Sequence, residues 1–134
     1  MKINYIISSL SVLFLAINIA NADTPVETET QKILANDRQI GDLLGGAIDL
    51  DNDTALISAY LDNDMGNNSG STYVYVRDEN GVWQQKQQLL ATDGYRGDQF
   101  GISVALEGDT ALVGALLDDD RGGNSGSAYI FKRN

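Results

Sequence analysis

Two short apolar runs flank a tight polar turn, a long acidic loop follows, and a strictly alternating segment closes the unit. This order of hydrophobic and polar positions occurs twice along the chain. In the later copy, residues 100–131 read FGISVALEGDTALVGALLDDDRGGNSGSAYIF, with apolar runs at 101–107 and 110–115 around Gly108. The earlier copy has runs at 45–51 and 53–59 around Asn52. Runs joined by Glu-Gly-Asp or Asp-Asn-Asp predict hairpins, because Gly and Asn tolerate the positive φ that tight turns need. No apolar period of 3.6 residues survives these breaks, which argues against helix. Residues 71–77 (STYVYVR) and 127–133 (SAYIFKR) alternate as strands do, with Tyr73, Tyr75 and Arg77 on one face and Val74 and Val76 on the other. Asn80-Gly81 predicts a further hairpin into residues 82–90 (VWQQKQQLL). The counterpart of its end, QQLLA at 87–91, is QKILA at 31–35, which reads as a weaker strand.

Thr54 and Thr110 occupy equivalent places, and the interval between them is the repeat offset. The alignment needs no gap from Gln31/Gln87 through Arg77/Arg133, about half of the aligned positions being identical. The aligned repeats are residues 31–78 and 87–134. Each predicts four short antiparallel strands in a meander. One such sheet is complete within residues 45–90, whereas the other must borrow residues 26–34 to gain its fourth strand.

The first residues carry a different pattern. Lys2 precedes a largely apolar stretch at 6–19, and Ala20-Asn21-Ala22 supplies the small-x-small signature of a cleavable secretory signal. Residues 1–22 are therefore expected to be a signal helix removed after Ala22. What is left, residues 23–134, spans twice the repeat offset. The product is expected to be secreted or periplasmic, with no membrane attachment after cleavage.

Charge and composition then close off several chemistries. Loss of Lys2 leaves eight basic against 19 acidic residues, a net charge of −11 on the processed chain. Such a surface repels nucleic acid and anionic lipid. With no His and no Cys, the chain has no Ser-His-Asp triad, no Cys nucleophile and no ordinary zinc site.

The repeated residues resemble FG-GAP repeats, the β-propeller blades of integrin α-subunit heads and of many secreted bacterial proteins. Phe100-Gly101 and Gly114-Ala115-Leu116 carry the signature in the second copy, with Leu44-Gly45 and Ser58-Ala59-Tyr60 in the first. Residues 91–131 also follow the bacterial ASDG…GDxFG…SVALxGDTALVGA…NSGSAYVF pattern. The resemblance implies an all-β fold: two tandem four-stranded antiparallel meander blades of β-propeller type, an incomplete ring, after the signal helix. Neither copy keeps the final proline of the family signature. The calcium loop that integrin blades carry between their first two strands is also reduced. Glu107-Gly108-Asp109 is too short to wrap an ion needing six to eight oxygens, while Asp49, Asp51 and Asp53 lack the loop glycine.

The better metal candidates are the long loops. Asp62, Asp64 and Asn68 in the first copy, and Asp118, Asp119, Asp120 and Asn124 in the second, bring hard oxygen donors together in one loop each. Crowded carboxylates repel unless a cation or water separates them, which makes Ca²⁺ the candidate cofactor. The competing view is that Asp, Asn, Gly and Ser are ordinary loop formers that keep an exposed connection soluble. Tyr73, Tyr75, Tyr129 and Phe131 are expected in the core between blades, and Trp83 on an outer strand.

Two blades cannot close a ring, since propellers typically have four to eight. Leaving outer sheet faces bare forfeits on the order of 8 kcal/mol per face at ~25 cal/mol/Å². Three arrangements answer this: assembly of several chains into a ring, membership of a longer repeat protein, or a two-sheet sandwich. For function, the residues and the resemblance together favour a non-catalytic module for adhesion or recognition of a protein or glycan surface through its loops, or for self-association. The alternatives are an accessory or degenerate carbohydrate-active enzyme using loop carboxylates, and a purely structural piece. Paired catalytic acids need an apolar pocket that keeps one protonated, and these acids sit in Gly/Ser-rich loops.

Overall fold

The computed structural model describes residues 28–134. The expected signal helix, its cleavage point and residues Val26 and Glu27 of the borrowed strand lie outside the described residues. Residues 28–30 belong to a separate N-terminal unit, Met1–Thr30, and carry no regular structure. The unit Gln31–Asn134 holds both repeats.

Seven strands form in chain order: β1 (Leu44–Asp51), β2 (Thr54–Ala59), β3 (Ser71–Arg77), β4 (Trp83–Leu89), β5 (Phe100–Glu107), β6 (Thr110–Ala115) and β7 (Ser127–Lys132). No helix occurs among the described residues. The first sheet is the antiparallel meander β1-β2-β3-β4, and the second is β5-β6-β7. These are antiparallel meanders, as the alternation and the turns predict, and they have the form of the open propeller-type blades that the resemblance implies. The turn residues Asn52 and Gly108 have φ of 52° and 57°, the left-handed conformation for which those residue types suit the hairpins.

One expectation is corrected. Residues 31–35 do not form a strand, and they do not complete the second sheet, which has three strands. The segment lies on the first blade instead. Gln31 spans the backbone of Trp83, donating its amide to the carbonyl (2.8 Å) and accepting from the N–H (2.8 Å). Ile33 and Ala35 pack on Ala55, Ala59, Tyr73 and Tyr75. Their apolar alternation thus serves the face of a neighbouring sheet, while the backbone lacks the ladder partner that defines a strand.

The two sheets pack face to face within this unit. Leu56, Val74 and Leu89 of the first sheet, with Ala91 of the linker, meet Ala111, Val113, Ala115, Tyr129 and Phe131 of the second. Phe100 is fully buried at the centre, its ring edge-on to Tyr129 (5.4 Å between centroids) and Phe131 (6.0 Å). Gly101, with φ of 94°, lets the backbone approach closely: a Cβ there would lie 2.8–2.9 Å from Thr72 Oγ1, Ser58 Cβ and the Ser71 carbonyl. Polar bonds fix the same interface. Asp49 accepts from Leu106 N–H (2.7 Å) and Asp51 from Gly108 N–H (2.6 Å), so two of the three regularly spaced acids of the first hairpin bind the second sheet. Asp53 pairs with Arg77 at 2.6 Å. Trp83 is half-buried, with the Arg77 guanidinium 5.5 Å from its ring centroid.

Truncating Phe100 to Ala removes the side chain that both sheets enclose. The expected cost is about 3–5 kcal/mol of unfolding free energy, read as a lower midpoint in urea with a single transition for both blades.

Candidate functional site

Strand direction places one set of connections at one end of the sheets. β2 ends and β3 begins there, joined by the loop at 60–70; β4 ends there opposite Thr72, and the linker at 90–99 departs. The second repeat adds its loop at 116–126. The linker folds back onto the first loop through backbone bonds from Gly97, Gln99 and Phe100 N–H to the carbonyls of Asn67, Asn68 and Ser69. Leu117 N–H in turn reaches the Asp98 carbonyl. The acidic loops and the linker therefore form one continuous rim.

Most acids on this rim hold backbone in place. Asp42 and Asp98, equivalent and buried, accept the N–H three residues upstream, of Gln39 and Tyr95. Asp62 and Asp118, also equivalent and buried, accept the N–H of Asp64 and Asp120, both at 2.9 Å. These are side-chain-closed turns of the kind Asp favours. Burial raises the Asp98 carboxyl above its ordinary value, against the lowering effect of the Tyr95 N–H and with added repulsion from Asp118, Asp119 and Asp93. The Asp120 N–H and the Tyr129 hydroxyl, outweighing desolvation, lower Asp118.

The structure divides the predicted ligand sets. In the second repeat Asp118 and Asp120 converge, and the third carboxylate is Asp93 from the linker, all three placing an oxygen within 4.8 Å of the others. Asp119 and Asn124 are not part of this group; the Asp119 carboxylate accepts the Asn124 N–H (2.5 Å). Asn68 likewise serves its loop, its N–H bonding the Asn63 side chain (2.8 Å). Sequence reasoning missed Asp93. The available signal was its identity with Asp37 at the repeat offset.

Tyr129 sharpens the electrostatics of this cluster. Its hydroxyl oxygen lies 2.7 Å from Asp118 Oδ2 and 2.8 Å from Asp93 Oδ1. One O–H hydrogen serves one carboxylate, so the second oxygen pair is repulsive unless a proton or cation enters. Burial first, then the bonds to Asp118 and Asp93, push the phenol well above its usual range. The charge of Asp118, then the bond to Asp93 and its charge, raise Asp120. In the first repeat the same place is served by Gln88. Its amide nitrogen reaches Asp64 Oδ2 (2.7 Å), Ser71 Oγ (3.0 Å) and the Tyr73 hydroxyl (3.3 Å), while Tyr73 donates to Asp62 (2.8 Å). Burial, then the Asp62 bond and Asp37, raise the Tyr73 phenol similarly. No described residue of the chain stands toward Asp120 and Tyr129 as Gln88 stands toward Asp64 and Tyr73.

The sequence profile of the FG-GAP repeat matches residues 28–75 and 83–131, one match on each blade. The chain belongs to the FG-GAP repeat family. No curated protein matches it. The FG-GAP signature residues now have visible tasks. Phe100-Gly101 is the plug between blades, and the Gly97-Asp98 pair folds the linker that delivers it. The protein is a propeller-type repeat module.

The signs of the shifts make a test. Asp118, lowered on folding, contributes stability that is present above the ordinary carboxylate value of about 4 and is lost as pH falls through its lower folded value. Asp120, raised on folding, opposes stability while ionised, and that penalty disappears as pH falls through its raised value. In chelator at pH 7, Asp118→Asn is expected to lower Tm and Asp120→Asn to raise it. Melts taken toward acid should show the Asp120 difference vanish first.

Proposed function

We propose that this FG-GAP repeat protein is an exported, non-catalytic module for adhesion or recognition of a protein or glycan surface, acting through its acidic rim with Ca²⁺ held at Asp93, Asp118 and Asp120. The observation that carries the proposal is the second repeat's cluster: three converging carboxylates, two of them on one phenolic hydroxyl, without the amide that Gln88 supplies to the first. The donor set fits the ion. Three carboxylate oxygens within 4.8 Å of one another suit a common centre at the ~2.3–2.6 Å that calcium prefers, with water completing six to eight ligands. A divalent cation there relieves the repulsion that raises Asp120. Asp119, Asn124, Asp62, Asp64 and Asn68 support the rim rather than ligate in this proposal.

A non-catalytic role is favoured over a carbohydrate-active enzyme by how the acids are held. Asp118 and Asp62 are committed to backbone N–H and tyrosine donors, and Asp118 is lowered rather than poised for proton transfer. Export rests on the leader pattern at residues 1–22.

Calcium at about 100 times its Kd adds roughly 2.7 kcal/mol to the folded state. Titration of the metal-free protein with Ca²⁺ is therefore expected to raise Tm, and Asp120→Asn is expected to abolish the gain while leaving a folded protein. A Tm that does not move with calcium overturns the metal assignment. Hydrolysis of a glycan substrate that is lost in Asp118→Asn overturns the non-catalytic one.

A further inference from the structure

The two apolar clusters of the chain are one set of positions used twice. Leu44, Ala55, Ala59, Tyr73 and Tyr75 under Ile33 and Ala35 recur one repeat later as Phe100, Ala111, Ala115, Tyr129 and Phe131 under Leu89 and Ala91. Residues 31–35 therefore lie on the first blade as the end of β4 and the linker lie on the second. The second cluster further takes in Leu56 and Val74 from the centre of the first sheet, with Val104 and Leu106 of β5. No described residue plays the part of Leu56 and Val74 for the first blade.

Exposure records the difference on both sides. Val104 and Leu106 are partly buried against the first sheet, but their counterparts Ile48 and Leu50 are 70% and 60% exposed. Leu56 is 1% exposed, yet its counterpart Leu112 on the far face of the second sheet is 43% exposed, and Ile130, which matches Val74, is 74% exposed. The two exposed faces thus carry the same positions that the interface between the two sheets brings together.

The far face also carries the matching seat. In the first blade, Ser58, Gly70, Ser71 and Thr72 receive Phe100-Gly101. Their counterparts Gly114, Gly126, Ser127 and Ala128 line an open cavity of about 450 Å³. The element with the shape to enter it is Leu44-Gly45: Gly45 has φ of 96° against 94° for Gly101, and open space where Gly101 meets the first sheet. Charge agrees. The position of Gln88 is held one repeat earlier by the exposed Lys32, which the same register places opposite the carboxylate of Asp120 and the hydroxyl of Tyr129.

We propose that copies of this chain associate head to tail. The far face of the second sheet of one copy takes the first blade of the next, with Leu44-Gly45 seated in the cavity and residues 31–33 laid along the edge of β7. The contact is heterologous, joining two different surfaces, and so propagates until rotation closes a ring. Closure at the usual four to eight blades takes roughly two to four copies. The junction is weaker than the interface inside the chain. Ala105 stands where Asp49 binds Leu106 N–H, while Glu107 keeps the carboxylate of Asp51. The proposal does not rest on calcium; Ca²⁺ and the Lys32 ammonium are alternatives for Asp120, so association is measured in chelator.

Sedimentation equilibrium of the full chain is expected to give a mass that rises with concentration to roughly two to four copies. Ile48→Glu and Ile130→Glu each place a charge on a side chain already exposed within one copy. Each alone is expected to stay monomeric, with the circular dichroism of the parent. An equimolar mixture of the two is expected to form a 1:1 dimer, because each variant keeps the face the other has lost. Three results overturn the proposal: a parent chain monomeric at all concentrations, a mixture of folded variants that stays monomeric, or association that survives either substitution alone.

Discussion

A sheet that is apolar on both faces needs a neighbour on each, and between the two blades of this chain that contact is centred on one plug. Phe100 lies against the first sheet at the end of a linker bonded to the loop at 60–70, so the contacts that hold the linker also hold the ring in its site. Its burial is worth about 1.5–3 kcal/mol by transfer alone, and edge-on contacts with Tyr129 and Phe131 add to that. The glycine beside it is a condition of the contact, since a Cβ at that point would collide with the first sheet. Asp49 and Asp51 extend the attachment along β1 and β5. The two blades thus share one core, and the second, with three strands, depends on the first.

The acidity of the chain follows from the same architecture. Loops that turn sharply at the ends of short strands leave backbone N–H groups without ladder partners, and a short carboxylate is an efficient acceptor for them. Asp42, Asp62, Asp98 and Asp118 do this work at equivalent places in both repeats. A carboxylate so bonded has a use even when no cation is near. The cluster of Asp93, Asp118 and Asp120 differs because the single hydrogen of Tyr129 lies between two of its three carboxylates.

Strand positions were legible because alternation, Asn-Gly and the Asn52 and Gly108 turns are local signals; each predicted end falls within a residue of the observed one for β1 to β7. Residues 31–35 mislead for a physical reason. Ile33 and Ala35 alternate as strand residues do, but alternation reports only that one side is buried, not that a hydrogen-bonding partner lies alongside. Of the metal candidates, Asp118 and Asp120 were found in sequence because they share a loop. Asp93 joins them only once the linker has folded back through Asp98 and the loop at 60–70, a non-local event. Asp119 and Asn124 satisfied the same compositional criterion and close a turn on each other instead.

Differences between the repeats fall where their surroundings differ. Phe100, enclosed by two sheets, replaces the half-buried Leu44. Ala105 replaces Asp49, whose carboxylate has a partner N–H on the adjoining sheet. Gly114 and Ala128 replace Ser58 and Thr72, trading polar side chains for space on the far face. Lys132 replaces Val76 at the open edge of β7, where a charged residue discourages unspecific strand pairing without occupying the centre of the face. A face shaped only for water has no reason to keep Leu112 and Ile130 at its centre while placing lysine at its margin. That distribution, apolar in the middle and charged at the rim, is the one expected of a surface that excludes most partners and retains one.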